Sequence, residues 1–327
     1  MLVGQRPSMG QTQMKQFVAG YSWSQGANRL NRPSISGPGP HVAIVGAARS
    51  GTTYLAAQLG AHPRIDPGAV KEPNYYSREF ARGRSWYDGL YAPSKPGLYR
   101  LDASTSLTFP QFREALGRLA VDSPDVFVIY VVRDPVPRAV SHYLYYRNYF
   151  HNEVATTFGA AMRANPIYVG TSNYADWLPR IGALFPPEQL LVVPFDLVTE
   201  AQPAVAHSIF NILGLDIPAV PANALAHRND VVTFRHDMYR QMYLRIRRSP
   251  LYPWARHRVG MDGLRRIRAL LTRETPLPTV EDALATCDAE QLRELEALQA
   301  RSRNAVTEHL ATQDLRIGET WSTVWCR

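Results

Sequence analysis

The stretch Val42-Ala43-Ile44-Val45-Gly46-Ala47-Ala48-Arg49-Ser50-Gly51-Thr52-Thr53 constrains this chain more than any other. Four apolar residues in a row read as a buried strand. Two glycines then bound a tight turn, and a helix is expected to follow. Such a turn points successive N–H groups and a helix N-terminus at one spot, so an anion sits there at little reorganisation cost. The Thr52 and Thr53 hydroxyls add hydrogen-bonding capacity, and Arg49 adds positive charge. A Walker A loop requires lysine directly after its second glycine, but Thr52 stands there and the cation comes two residues before Gly51. This disfavours ATP phosphoryl transfer. The plainer alternative is an ordinary βα turn whose glycines serve packing.

From His41 onward, short apolar runs alternate with helical patterns. The strand candidates are Val42 to Val45, Leu98 to Leu101, Val126 to Val132 and Leu190 to Val193. Val205, Ile209, Ile212 and Leu213 recur at helical spacing, with Pro203 near the start and Gly214 just past the end. The pattern predicts an α/β fold with a central, mostly parallel sheet covered by helices on both faces. Residues 1–40, rich in Gly, Ser, Gln, Asn and Pro, read as an N-terminal extension. The α/β core is expected over about 41–220. The remainder, to 327, reads as helical and basic, with no further strand.

A second anion-binding candidate follows the strand at Val126 to Val132: Arg133-Asp134-Pro135-Val136-Pro137-Arg138-Ala139-Val140-Ser141. Pro137 suits the first turn of a helix. In open α/β sheets ligands bind beyond the carboxyl ends of strands, which brings Arg133 to the crevice that holds the residues after Gly46. A guanidinium and a hydroxyl at Arg133 and Ser141 provide a second phosphate site. Two separate sites imply a bisphosphorylated nucleotide. The structural alternatives are an Arg133–Asp134 ion pair and a Ser141 that bonds back to its own helix.

Composition narrows the partners without choosing one. The formal charge of +8 favours anionic ligands or surfaces. Only two cysteines, Cys287 and Cys326, are present and neither has metal-ligand spacing, so a reducing cytosol and no metal site are expected. The first residues lack a signal-peptide h-region, and no run of ~18 apolar residues predicts a membrane span.

With both segments read, Gly46 to Thr53 resembles the 5′-phosphosulfate loop of sulfotransferases that use 3′-phosphoadenosine 5′-phosphosulfate (PAPS). Arg133 to Ser141 resembles their 3′-phosphate motif. Lys71-Glu72-Pro73-Asn74-Tyr75-Tyr76 resembles the glutamate-containing segment of the heparan-sulfate-type and bacterial members. The resemblance covers roughly 41 to 215 and implies a P-loop-type three-layer α/β domain with a helical C-terminal region.

It implies in-line sulfuryl transfer to a hydroxyl of a small-molecule, glycan or lipid acceptor, with no metal and with Glu72 as general base. Arg49, Ser50, Gly51, Thr52 and Thr53 would contact the 5′ side of PAPS, and Arg133 and Ser141 its 3′-phosphate. Tyr174 would start a helix near the adenine, and Arg228 would lie in a loop closing over the nucleotide. Arg49 stands where many relatives carry lysine. It stabilises leaving-group charge but, being always protonated, does not hand over a proton. The family's Glu-Lys-Ser-like segment appears here as Asp102-Ala103-Ser104, without the lysine, and no disulfide-closed C-terminal loop can form.

Weaker signals are Lys71 as a second cation and His142 as an alternative base. Pro179 is expected to disturb the helix after Tyr174. Tyr239, Met242, Tyr243 and Ile246 form a stripe among arginines that suits a lid helix or an anionic surface. Leu292, Leu295, Leu298 and Val306 predict a final long helix. A P-loop phosphotransferase, with Asp134 in a Walker B role, is the competing enzyme reading. A polyanion or nucleic-acid binder comes last, since no nucleic-acid module is visible.

Overall fold

The computed structural model describes residues 39–93, 97–150, 152–200, 202–217, 233–234, 272–273 and 278–313. The N-terminal extension through residue 38, Arg228, the Tyr239–Ile246 stripe and Cys326 lie outside the described residues.

Strands β1 (Val42–Gly46), β2 (Ile65–Asp66), β3 (Tyr99–Asp102), β4 (Phe127–Val132) and β5 (Leu190–Pro194) form one sheet in the order β2-β3-β1-β4-β5. All its pairings are parallel, with Val42 opposite Leu101 on one side and Phe127 on the other. The helices used below are α1 (Thr52–Gly60), α2 (Ala115–Asp122), α3 (Pro135–Tyr145), α4 (Tyr174–Leu184), α5 (Phe195–Glu200), α6 (Gln202–Leu213) and α7 (Ala289–Thr312).

Strand residues alternate between two apolar layers, as a period of two requires. Val42, Ile44, Phe127, Ile129, Leu191 and Val193 pack with Leu55 and Leu59 of α1 and with Val205 and Ile209 of α6. Ala43, Val45, Val128, Tyr130, Leu190 and Val192 pack with Leu116 and Leu119 of α2 and with Trp177 and Ile181 of α4. Burial on both faces is why the strands read as continuous apolar runs rather than alternating ones. A third cluster joins α3 to Leu295 and Leu298 of α7.

The final helix expected from its leucines is present as α7, started by a reciprocal Asp288–Gln291 capping box. Two expectations need correction. Helix α4 continues past Pro179 without a break, because Trp177, Leu178 and Ile181 are all buried and their packing outweighs the lost backbone bond. Beyond residue 220 the strands Thr233–Phe234 and Thr272–Arg273 pair antiparallel; a two-residue ladder is too short to leave a periodic signal. β2 escaped notice for the same reason.

β1 lies between β3 and β4, and the chain crosses from one half of the sheet to the other there. That is the switch point where α/β folds bind ligands. Gly46 makes the exit from β1 possible. Its φ is 152°, and a Cβ at this position would lie 2.1 Å from Thr108 Oγ1 and 3.2 Å from the Tyr130 ring. Thr108 Oγ1 itself donates to Val45 O at 3.0 Å, so the obstacle is fixed. Gly46→Ala should therefore lose roughly 1–3 kcal/mol of stability, measured by urea denaturation; an unchanged midpoint would contradict the close approach.

Candidate active site

The turn after β1 is held from beneath by arginines that bond its carbonyls. Arg133 Nη1 donates to Arg49 O at 3.1 Å, and Arg138 Nη1 donates to Ala48 O at 3.0 Å. Arg49 has φ 71° and Gly51 φ 79°, both left-handed. Gly51 sits directly before α1, where a Cβ would meet Phe195 and Val198 at 3.2 Å. The first N–H groups of α1 have no intrahelical acceptor. With the carbonyls of 48 and 49 engaged below, the turn has the form of an anion cradle. Ser50 and Thr52 are buried, while Thr53 is exposed on the first turn of the helix.

Arg49 reaches across to the second segment. Its Nε donates to Ser141 Oγ at 3.3 Å, and its guanidinium lies 4.0 Å from the centre of the Tyr145 ring. Burial draws its pKa below the ordinary arginine value; the Tyr145 phenol opposes this and the nearby Arg133 charge adds to it. Arg133 is stacked on Phe195 of α5 at 4.6 Å. Tyr174 is fully buried, and its hydroxyl accepts from Arg133 N at 3.1 Å and donates to Arg133 O at 2.8 Å. It fixes the β4–α3 junction and also contacts Ser50 of the turn after β1.

Arg138 has no exposed surface. Besides Ala48 O it bonds Ser172 Oγ at 2.5 Å, the Tyr168 carbonyl, and His142 Nδ1 at 3.2 Å. Burial brings its pKa down to about 10, with the Arg133 and Arg49 charges contributing. It stays cationic at neutral pH beneath the cradle. His142 is 1% exposed. Burial, then the Arg138 and Arg49 charges, push its pKa well below the ordinary histidine value. The ring is a neutral inward-facing part of the wall rather than a base at the crevice.

On the other flank of β1, Glu72 is partly exposed, with 37% of its side chain accessible. Lys71 Nζ donates to one of its carboxylate oxygens, and Thr105 Oγ1 lies 3.4 Å from the other. Asn74 organises this strip from a left-handed φ of 54°. Its amide donates to Glu72 O at 2.8 Å, its Oδ1 accepts from Ser106 Oγ at 2.5 Å, and its N–H donates to Ser104 Oγ at 2.9 Å. Thr105 follows β3, the sheet neighbour of β1 on the side away from β4, so Glu72 stands at the carboxyl end of that side of the sheet. Asp102, at the end of β3, is buried and bonded by Tyr87 Oη at 2.8 Å and Ser104 N at 2.9 Å; burial pushes its carboxyl above the usual range.

The fold thus brings Arg49, Ser50, Gly51 and Thr52 beside Arg133 and Ser141, with Glu72 on the β3 side of β1 and Thr53 exposed on the first turn of α1. Asp134 does not join them. Its carboxylate is taken by Arg303 of α7 at 2.6 Å, away from the Walker B role considered for it. The sequence reading gave no role to Arg138 or Asn74, which lie within its motif segments, nor to Tyr145 and Thr105. A signal did exist for two of them: Arg138, Ser141 and Tyr145 are spaced to share one face of α3. Among the described residues no group of three or more His, Cys, Asp or Glu is placed to hold a metal ion, and no helix is long and apolar enough to cross a membrane.

A parallel sheet with a glycine-bounded anion cradle at its switch point defines a P-loop-type α/β protein. The sulfotransferase domain family profile matches residues 39–238, and the chain belongs to that family. It is 37% identical over 122 residues to heparan sulfate glucosamine 3-O-sulfotransferase 6 of Mus musculus, spanning 35% of each chain. It is 34% identical over 104 residues to the human 3-O-sulfotransferase 3B1, spanning 32% of this chain and 26% of that one. The matches therefore span about a third of these curated relatives or less. The solved sulfotransferase of Alicyclobacillus acidocaldarius shares the fold, with TM-score 0.50 and 21% identity over 71% of this chain and 95% of that one.

Two measurements probe this scaffold. Arg138→Met should cost on the order of 3 kcal/mol or more, because several buried acceptors lose their donor; a loss below about 1 kcal/mol in chemical denaturation would contradict the arrangement. His142 is held neutral in the fold, so its contribution is present above its unfolded pKa of about 6.5 and is lost as pH falls. Between pH 7.5 and 5.5 the native chain should lose about 1.4 kcal/mol more stability than His142→Gln. Parallel stability profiles for the two would show that the ring protonates in the fold.

Proposed function

We propose that this chain transfers a sulfuryl group from PAPS to an acceptor hydroxyl, with Glu72 as general base. The observation that carries this reading is the pairing of two anion-binding elements on adjacent strands, the turn after β1 and the Arg133–Ser141 segment, with one accessible carboxylate on the opposite flank. A nucleotide with phosphates at both ends of its ribose matches two such elements, whereas one triphosphate chain needs only the first. The cradle N–H groups, Thr52, Thr53 and Arg49 would hold the 5′-phosphosulfate, and Arg133 and Ser141 the 3′-phosphate.

In the reaction the acceptor oxygen forms a bond to sulfur as the bond from sulfur to the bridging phosphate oxygen breaks. The acceptor proton passes to Glu72, and the electron pair leaves with the bisphosphate. Arg49 stabilises the charge growing on the leaving oxygens without donating its own proton. Lys71 is already bonded to Glu72, so it orients the base and can also meet the sulfonate. The named relatives favour a glycan among the possible acceptors. The sequence Asp102-Ala103-Ser104 lacks the lysine of heparan-type enzymes, and this keeps small-molecule and lipid acceptors in view.

Replacing Glu72 with Gln tests the assignment. Transfer from labelled PAPS should fall about a hundredfold or more while affinity for 3′,5′-bisphosphoadenosine changes by less than about twofold. Full turnover in the variant would remove Glu72 from the mechanism.

A further inference from the structure

Helix α3 does not stop cleanly after Tyr145. Over Tyr146–Phe150 the chain widens to an i→i+5 winding, a rare form that is frequent at functional positions. The wider turn sets the residues four and five places on against one ring. Tyr145 stacks on Tyr149 with centroids 4.8 Å apart and planes 12° from parallel, and Phe150 meets it edge to face at 4.9 Å and 78°. Tyr149 and Phe150 also meet edge to face, at 5.4 Å. All three rings are half-buried, and among the described residues none belongs to the apolar clusters that fill the fold. Core packing therefore does not account for them.

What the cluster does touch is Arg49. The guanidinium lies 4.0 Å from the centre of the Tyr145 ring, and its Nε donates at 3.3 Å to Ser141 Oγ, one turn earlier on the same helix. A ring has two faces. With the guanidinium over one, the parallel Tyr149 ring takes the other, so the stack is backed from behind. The main chain of Arg49 is fixed separately, by a φ of 71° and by Arg133 Nη1 donating to its carbonyl at 3.1 Å. Held at both ends, this side chain has little rotamer freedom left to lose when an anion arrives. Flat contact with a ring is available to a guanidinium, whereas an ammonium is a compact point charge on a flexible stem.

We propose that Tyr145, backed by Tyr149 and Phe150, is the positioning residue for Arg49: its ring face holds the guanidinium ready for the leaving phosphate before any nucleotide binds. The ring acts through Arg49, and its hydroxyl is dispensable. This rests on the sulfuryl-transfer reading of the same crevice, in which Arg49 stabilises the leaving oxygens.

A double-mutant cycle on the affinity of the full chain for 3′,5′-bisphosphoadenosine tests it, because this ligand carries the leaving phosphate. Tyr145→Leu, which keeps most of the bulk and removes the ring face, should weaken binding about tenfold. Tyr145→Phe should bind within about twofold of the native chain. In an Arg49→Lys background the Tyr145→Leu change should cost less than about threefold, since the flat contact is already gone. A ring that merely supports the helix would cost the same in both backgrounds. That result, native-like binding by Tyr145→Leu, or a tenfold loss in Tyr145→Phe would each overturn the proposal. A second measurement does not depend on Tyr145→Leu folding. In the native chain labelled with nitrogen-15 arginine, the Arg49 Nε–H proton, assigned by its loss in Arg49→Lys, should be shifted upfield by the ring current and should stay there in Tyr145→Phe. An unshifted resonance would overturn the contact itself. If the native chain does not bind the bisphosphate, the nucleotide reading falls and takes this role with it, whereas binding with an uncoupled cycle removes the positioning role alone.

Discussion

Everything at the crevice depends on guanidinium groups bonded to main-chain carbonyls rather than to acids. Arg138 holds Ala48 O from below, Arg133 holds Arg49 O, and Arg49 turns to Ser141 and the face of Tyr145. Each of the three feels the charge of another. Among the described residues, neither Arg49 nor Arg138 has a carboxylate at ion-pair distance. Repulsion of this kind is tolerated only where the surroundings fix the groups, and it leaves a positive field that a multiply charged anion relieves. The same bonds that shape the cradle therefore supply its electrostatics.

The rest of the fold serves to keep those groups in register. β1 and β4 are hydrogen-bonded neighbours, so the turn after one and Arg133 after the other project into a single crevice. Helix α7 stabilises the far side: Ser302 Oγ accepts from Tyr174 N at 3.2 Å and donates to Ser172 O at 3.0 Å, and Arg303 takes Asp134. Ser172 in turn bonds Arg138. The C-terminal helix thus reaches the cradle through two residues, even though it contributes no group to the crevice itself.

Much of this was legible in the sequence because its signals are local. The four strand runs emerged as strands with edges shifted by one residue at Tyr99, at Phe127 and at the carboxyl ends of β1, β3 and β5. The glycine-bounded turn and the arginine after β4 stand out in the string, and the fold sets these two segments side by side. What stayed hidden was nonlocal. Nothing in the string shows that Arg138 is buried whereas Arg78, an arginine of equal polarity, is exposed. Tyr145 becomes informative only when Arg49 lies on it, and Asn74 only when its left-handed backbone turns Glu72 toward Thr105. Asp134 misled for the same reason: its partner is 169 residues away.

The central claim is that the crevice is built for one nucleotide held at both ends. Calorimetric titration of the chain with 3′,5′-bisphosphoadenosine, and separately with ATP, tests it most directly. The account predicts saturable one-to-one binding of the bisphosphate, well ahead of ATP, and a large loss of that affinity in Arg133→Ala. Equal or tighter binding of ATP, or bisphosphate binding indifferent to Arg133, would contradict it.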